Sequence, residues 1–304
     1  MNLSLFVTAT ELGLILSLTV LSLFLSYTML NVCDLSTDGC FTLGAAVGAM
    51  VAISGHPYLS IPAAMLAGSF SGFVTALLQT KMGINSLLAG IIVNTGLYSV
   101  NIAIMGGSSL LNLNKTETVF SILKDILKDT VLSSYCTIIV SLIAVIIVIV
   151  FLSFFLKTKL GLAIRATGNN PSMVKTSSIS PAFTTIVGLC ISNSFTALSG
   201  CLLAEAQKSM SIDIGGGMLT VALASLLIGT TIIRKGSLSL RASSCAIGAI
   251  IFRLAYMFAL RLKMPAYMLR LVSSIIVIIA ICLPYLKSKY PEFKRRLNHK
   301  KEVA

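Results

Sequence analysis

Asp34 and Asp38 stand four residues apart, a spacing that puts both carboxylates on one face of a helical turn. Two acids placed so can stabilise the start of a helix, where unpaired backbone N–H groups carry partial positive charge. They can equally line the inner mouth of a path through a bilayer, because a carboxylate at membrane depth must face water or a partner. Asn94, Tyr98 and Asn101 recur at helical spacing within an apolar run. Amides in lipid need partners, so this face points inward, either to a neighbouring helix or to a solute. Ser192, Asn193 and Ser194 form a similar polar patch. Glu205 and Gln207 close the same apolar run at its far end, where an arriving solute would first meet them. Arg253 is a lone cation in an apolar run and must pair or snorkel.

Bond-breaking chemistry has no comparable foothold. His56 and His299 lie far apart, and none of the seven cysteines makes a C-x-x-C pair. No His/Cys/carboxylate cluster suggests a metal or a catalytic centre, and no G-x-x-x-x-G-K-[ST] loop offers a phosphate cradle. The residues therefore point away from an enzyme and away from a metal or nucleotide held by this chain.

The elements that must position these residues are membrane helices. Of the 304 residues 56% are hydrophobic and only 11% charged, against about 25% charged in soluble domains. The net charge of +13 needs no nucleic acid: it belongs to cytoplasmic loops and a basic tail beside anionic lipid. Crossings of about twenty residues fit nine runs, near 9–31, 39–55, 58–80, 86–105, 134–156, 182–204, 216–233, 242–260 and 267–286. The expected fold is an all-α integral membrane bundle of about nine spans (eight to ten) in one domain, 1–304. The first run is long enough to span and lacks the positive flank of a cleavable signal.

The polar segment 157–181 carries Lys157, Lys159, Arg165 and Lys175 and no acid, which places it inside the cell by the positive-inside rule. Lys81, the 234–241 turn and the basic tail 287–304 then also lie inside and the N-terminus outside, while Arg261 and Lys263 face outward against the rule. Within 157–181 a short apolar-rich helix is broken at Gly168–Pro171 and a second follows. A loop that merely turned the chain would be shorter, so this one reads as a docking surface for a cytoplasmic partner. The stretch 106–133 faces outward and contains Val119, Phe120, Ile122, Leu123, Ile126 and Leu127 at the spacing of an amphipathic surface helix. Gly44-x-x-x-Gly48 and Gly68-x-x-x-Gly72 permit close helix contact. Asp34-Leu35 and Asp213-Ile214 each precede a Gly-rich helix, and Lys81-Met82-Gly83 is matched by Lys263-Met264-Pro265, which fits an inverted repeat of two four-helix halves.

The run Asp34–Ala46 (DLSTDGCFTLGAA) resembles the D-L-x-x-D-G-x-F-x-L-G-A segment of bacterial ABC-importer permeases of the branched-chain amino acid and ribose group. Lys81–Gly90 (KMGINSLLAG), Leu97–Gly106 (LYSVNIAIMG), Gly161–Pro171 (GLAIRATGNNP), Leu198–Gln207 (LSGCLLAEAQ) and Leu226–Gly229 (LLIG) are similar to the same group in order and spacing. The nearest branch is linked to aromatic amino acids such as tryptophan. The resemblance implies that 161–171 is a coupling helix docking on a cytoplasmic ATP-binding subunit, with Arg165, Ala166, Gly168, Asn169, Asn170 and Pro171 in that role. It implies a second permease copy or close paralogue, an extracytoplasmic solute-binding protein, and ATP held by the partner alone. Ser178 departs from the family, whose members often have glycine there. An ion-driven secondary transporter is the alternative; it would need ion ligands within the membrane and no ATPase partner.

Overall fold

The protein is described by a computed structural model that covers residues 3–126, 135–233 and 236–261, with 271, 274–278 and 282 beyond them. Its elements in chain order are α1 (Leu3–Leu23), continued by a π-helical turn (Phe24–Met29); α2 (Thr37–Ile53); α3 (Pro57–Thr80); α4 (Ser86–Ile104); β1 (Leu110–Asn112); α5 (Val119–Ile126); α6 (Cys136–Phe155); α7 (Lys159–Asn169); α8 (Pro171–Thr176); α9 (Pro181–Gln207); β2 (Ser209–Ser211); a 3-10 turn (Ile212–Gly215); α10 (Met218–Ile232); and α11 (Leu238–Arg261). Among the described residues, seven helical stretches are long and apolar enough to cross a bilayer. These are Phe6–Met29, Pro57–Thr80, Ser86–Ile104, Cys136–Phe155, Pro181–Gln207, Ile212–Ile232 and Leu238–Ala259. The expected second span is α2, apolar but only 17 residues long. The ninth, 267–286, the tail 287–304 and the Lys263–Pro265 half of the repeat fall almost wholly outside the described residues.

Helix starts follow the side chains available. Asn85, Thr158, Asn170 and Ser180 each accept a backbone N–H from the first turn of α4, α7, α8 and α9 respectively. Pro171 and Pro181 occupy first helical positions, where a missing N–H costs nothing.

The axis of the bundle is α9, which packs against α1, α2 and α3. Lipid tails are as apolar as leucine, so helices here are held by close packing and interhelical hydrogen bonds. The glycines supply the first: a Cβ on Gly44 would strike the backbone of Ala197, one on Gly68 the carbonyl of Asn193, and one on Gly72 the carbonyl of Leu189. The hydroxyls supply the second: Ser22 and Ser192 share a bond of 2.8 Å, Thr196 donates to Ser22 at 2.7 Å, and Ser199 donates to the Ile15 carbonyl at 2.7 Å.

Two helices begin inside the bundle. Gly44 meets Ala197 and Gly48 meets Cys201, so α2 runs parallel to α9, and Asp34 just before it bonds Asn193 near the middle of α9. The chain therefore climbs from the end of the π turn to mid-depth over residues 30–36 without helix. From the opposite end, β2 pairs with β1, the 3-10 turn descends, and Gly215 packs on the Asp38 carbonyl. There α10 starts and runs back toward the end where Arg241, in the first turn of α11, lies 5.8 Å from the Phe24 ring. Helices α2 and α10 thus start close together at mid-depth and run in opposite directions. Non-helical backbone at that depth is sustainable because protein surrounds it.

Candidate functional site

The first of the paired acids is sealed. Asp34 is 1% exposed. Its Oδ1 accepts from the Ser36 amide at 2.8 Å and the Ser36 hydroxyl at 2.6 Å, and its Oδ2 from Asn193 Nδ2 at 2.9 Å. Thr75 on α3 donates to Ser36 at 3.4 Å. These bonds pin the climbing segment to α9 and α3. Neither acid makes a side-chain cap bond to α2, although Asp38 lies in its first turn. Asp34 binds the residue before the helix, and Asp38 turns to a helix 180 residues away: its Oδ2 accepts from the Gly217 amide at 3.0 Å and its Oδ1 from the Leu219 amide at 2.7 Å. The partially positive start of α10 is the stronger partner, because its N–H groups are otherwise unpaired at mid-depth. Gly217 has φ of +83°, the left-handed turn that aims those groups at Asp38.

Asp38 also lies at the lip of a cleft of 330 Å³. One wall is Asp38, Gly39 and Thr42 of α2; another is Asn94, Thr95, Tyr98 and Asn101 of α4; the third is Ile212, Asp213, Gly215 and Gly216. The helical face expected from Asn94, Tyr98 and Asn101 is therefore shared by one cavity with Asp38. Asn101 is 1% exposed and donates to the Gly39 carbonyl at 3.2 Å, while its Oδ1 has no partner. Asn94 Oδ1 lies over Gly39, where a Cβ would meet it at 2.6 Å. Tyr98 is 52% exposed.

The remaining candidates lie elsewhere. Asn193 belongs to the sealed Asp34 knot. Glu205 does not face an arriving solute: it is fully buried, and accepts from Ser60 Oγ at 2.5 Å and the Val119 amide at 3.0 Å, tying the start of α5 to α9 and α3. An unpaired carboxylate there would be expensive, so its neighbours close over it. Gln207 is exposed at the last turn of α9. Arg253 lies 5.0 Å from the Tyr256 ring, with Nε unpartnered.

At the far end, α7 and α8 form a lobe with two faces. Gly161, Ala163, Ile164 and Thr167 are buried, and the Thr167 hydroxyl bonds Thr184 of α9 at 2.8 Å. A Cβ on Gly168 would strike the Met29 carbonyl and come within 2.8 Å of Leu30, so α7 rests directly on the end of the π turn. The other face carries Leu162, Ala166, Asn169, Asn170, Pro171 and Met173, all exposed, with Arg165 half-buried between them.

The family described as the branched-chain amino acid transport system permease component matches residues 5–281. The chain belongs to this permease family. It is a multi-pass membrane protein with a transport role. A tyrosine transport system permease protein of Clostridioides difficile (strain R20291) is 32% identical over 96% of this chain and 96% of its own length. An uncharacterized protein of Rickettsia prowazekii (strain Madrid E) is 30% identical over 92% of the chain and 97% of its own. No solved structure matches. Sequence reasoning missed the permease's Ser36 and Ser60 as partners of buried acids and Thr75 as the partner of Ser36, and it used Asp213 only as a repeat marker. Serines and threonines in apolar runs are too common to signal such bonds; Asp213, an acid beside three glycines, could have been tied to Asp38 by their shared place before a Gly-rich helix.

Proposed function

We propose that this chain is the permease subunit of an ATP-driven ABC importer and forms one side of the path for an amino acid, aromatic or branched-chain. The observation that carries the reading is the two-faced lobe: α7 touches the end of the π turn that continues α1, backbone to backbone at Gly168, and turns an exposed face outward. Such a contact transmits displacement without slack, since packed backbones cannot yield as a flexible side chain does. ATP binds the cytoplasmic partner subunits, which push on Arg165, Ala166, Asn169, Asn170 and Pro171; this chain holds no nucleotide itself. The push passes through Gly168 to the π turn and α1, and the bundle exposes its path to each side in turn. The opposed half-helices α2 and α10 support an inverted repeat around that path. A second permease copy or paralogue completes it, and an extracytoplasmic binding protein delivers the solute. The relative's printed role in tyrosine transport favours an aromatic amino acid.

The path lining on this chain comprises Asp38, Asn94, Tyr98 and Asn101, joined by Asp213. Asp34, Asn193 and Glu205 brace it. The test is uptake in proteoliposomes holding the permease with its ATP-binding and solute-binding subunits. Amino acid accumulation that requires ATP, and is lost when Asn169 and Asn170 are both changed to bulky acids, supports the reading. Accumulation driven by an ion gradient without ATP overturns it.

A further inference from the structure

We infer that the Asp38–Asp213 cleft selects its solute through a protonated amine, with Asp213 as the primary ionic contact. The inference rests on the reading of this chain as a permease and adds the group recognised and the residue that recognises it. The cleft is rich in acceptors: two carboxylates and two side-chain amides line it, and among the described residues no lysine or arginine does. The carboxylates have different work. Asp38 already accepts two N–H groups from the start of α10. Asp213 is exposed, and among the described residues its carboxylate takes part in no side-chain hydrogen bond or ion pair.

A second, independent observation marks the cleft as a place for a donor. Asn101 lines it, is 1% exposed, and keeps Oδ1 without a partner although its Nδ2 is bonded to Gly39. A buried carbonyl oxygen left empty is costly and is satisfied when a donor arrives. An ammonium group brings three N–H donors and a positive charge. It matches Asp213, Asn101 Oδ1 and the free lone pairs of Asp38 together. A carboxylate would meet two like charges, with neutral donors such as Asn94 Nδ2 and Tyr98 Oη to set against them. Tyr98 and Ile212 also line the cleft and supply apolar surface for the rest of the solute.

The experiment is equilibrium binding to the purified full-length permease in lipid nanodiscs, with phenethylamine, L-phenylalanine and hydrocinnamate as probes. The first and last share a ring and spacer and differ in carrying an ammonium or a carboxylate. Phenethylamine and phenylalanine are expected to bind and hydrocinnamate to fail. Asp213→Asn keeps the shape and removes the charge, and should weaken phenethylamine about tenfold or more; Asp213→Glu should retain most of the binding. Hydrocinnamate binding as well as phenethylamine, no binding of either amine, or an unchanged affinity in Asp213→Asn overturns the inference. ATP-dependent uptake measured on the same variants keeps the two readings apart. If wild-type uptake needs ATP and Asp213→Asn leaves its preference for amines untouched, the amine site falls and the importer stands. If wild-type uptake ignores ATP, the importer falls, while amine binding still decides the cleft.

Discussion

The Asp34 knot and the α7–α8 lobe are both polar interruptions in a chain of apolar helices, yet they use polarity in opposite ways. In the knot, Asp34, Ser36, Thr75 and Asn193 turn toward one another at mid-depth, and the carboxylate is sealed. In the lobe, side chains such as Asn170 hold only their own helix start, and the rest of the surface faces outward. The difference follows from what surrounds each. At mid-depth little water can reach a polar group, so most donors and acceptors must find protein. At the end of the bundle water is an adequate partner, and the surface stays free for another molecule. A polar group satisfied by protein at depth therefore reports architecture, and one left without a protein partner reports an interaction.

Asp34→Ala should have the largest effect. It leaves the Ser36 amide, the Ser36 hydroxyl and the Asn193 amide without their acceptor in a site closed to water. Buried groups left unpaired in a network cost about 3 kcal/mol or more together. The expected result is a large drop in the thermal unfolding midpoint of the detergent-purified permease, or failure to accumulate. Asp34→Asn, which keeps two acceptor lone pairs, should lose much less. If Asp34→Ala unfolds with wild type, the knot does not hold the climbing segment.

Gly168→Val probes the inner face of the lobe, which is packed against the bundle as the knot is. Its side chain would be driven into the Met29 carbonyl and Leu30, and overpacking of that kind costs about 1–3 kcal/mol. The protein should remain folded and still bind its ATP-binding partner through the untouched outer face. ATP-dependent uptake should fall steeply, because α7 no longer rests on the π turn in register. Asn169→Ala is the counterpart: exposed, it should change stability by less than about 0.5 kcal/mol and weaken partner association. Equal effects of the two on association, measured by co-purification, would erase the distinction between the faces.

Asp38→Ala sits between the regions. Removing it deprives the start of α10 of two acceptors, and losing a helix cap costs about 1 kcal/mol. The cleft is partly open, so water can replace some of that loss, which keeps the penalty below that of Asp34→Ala. Two acids four residues apart would then differ severalfold in stability cost, as read by thermal unfolding.

How much of this was legible beforehand depends on the range of the interaction. Local signals were reliable: the break at Gly168–Pro171 and the glycine spacings that let α2 and α3 touch α9. The face of Asn94, Tyr98 and Asn101 was visible because helical periodicity fixes it. The partners of Asp38 and Glu205 were not, since no periodicity relates residue 38 to 217 or residue 205 to 60 and 119. The halting of α2 at mid-depth was equally hidden: a run near twenty apolar residues reads as a span, and only its contact with α9 reveals where it begins.

Ser178→Gly should have the smallest effect and the opposite sign. After α8 the Ser178 amide bonds the Lys175 carbonyl at 3.1 Å and the Ile179 amide bonds the Val174 carbonyl at 3.2 Å. That pair of bonds closes a helix end through a left-handed residue, normally glycine. Here the residue is serine with φ of +60°, a conformation that costs an L side chain about 1 kcal/mol or more. Glycine removes that cost but gives back part of it through a freer unfolded chain. A net gain of a few tenths to about 1 kcal/mol is expected in thermal unfolding, with uptake unchanged because Ser178 touches neither the Gly168 contact nor the outer face of α7. Ser178→Val, which crowds the left-handed turn further, should lower stability instead. A loss of stability in Ser178→Gly as well would mean that the Ser178 hydroxyl makes a bond worth more than the strain it sits in, a second tie of the lobe beside that of Thr167 to Thr184.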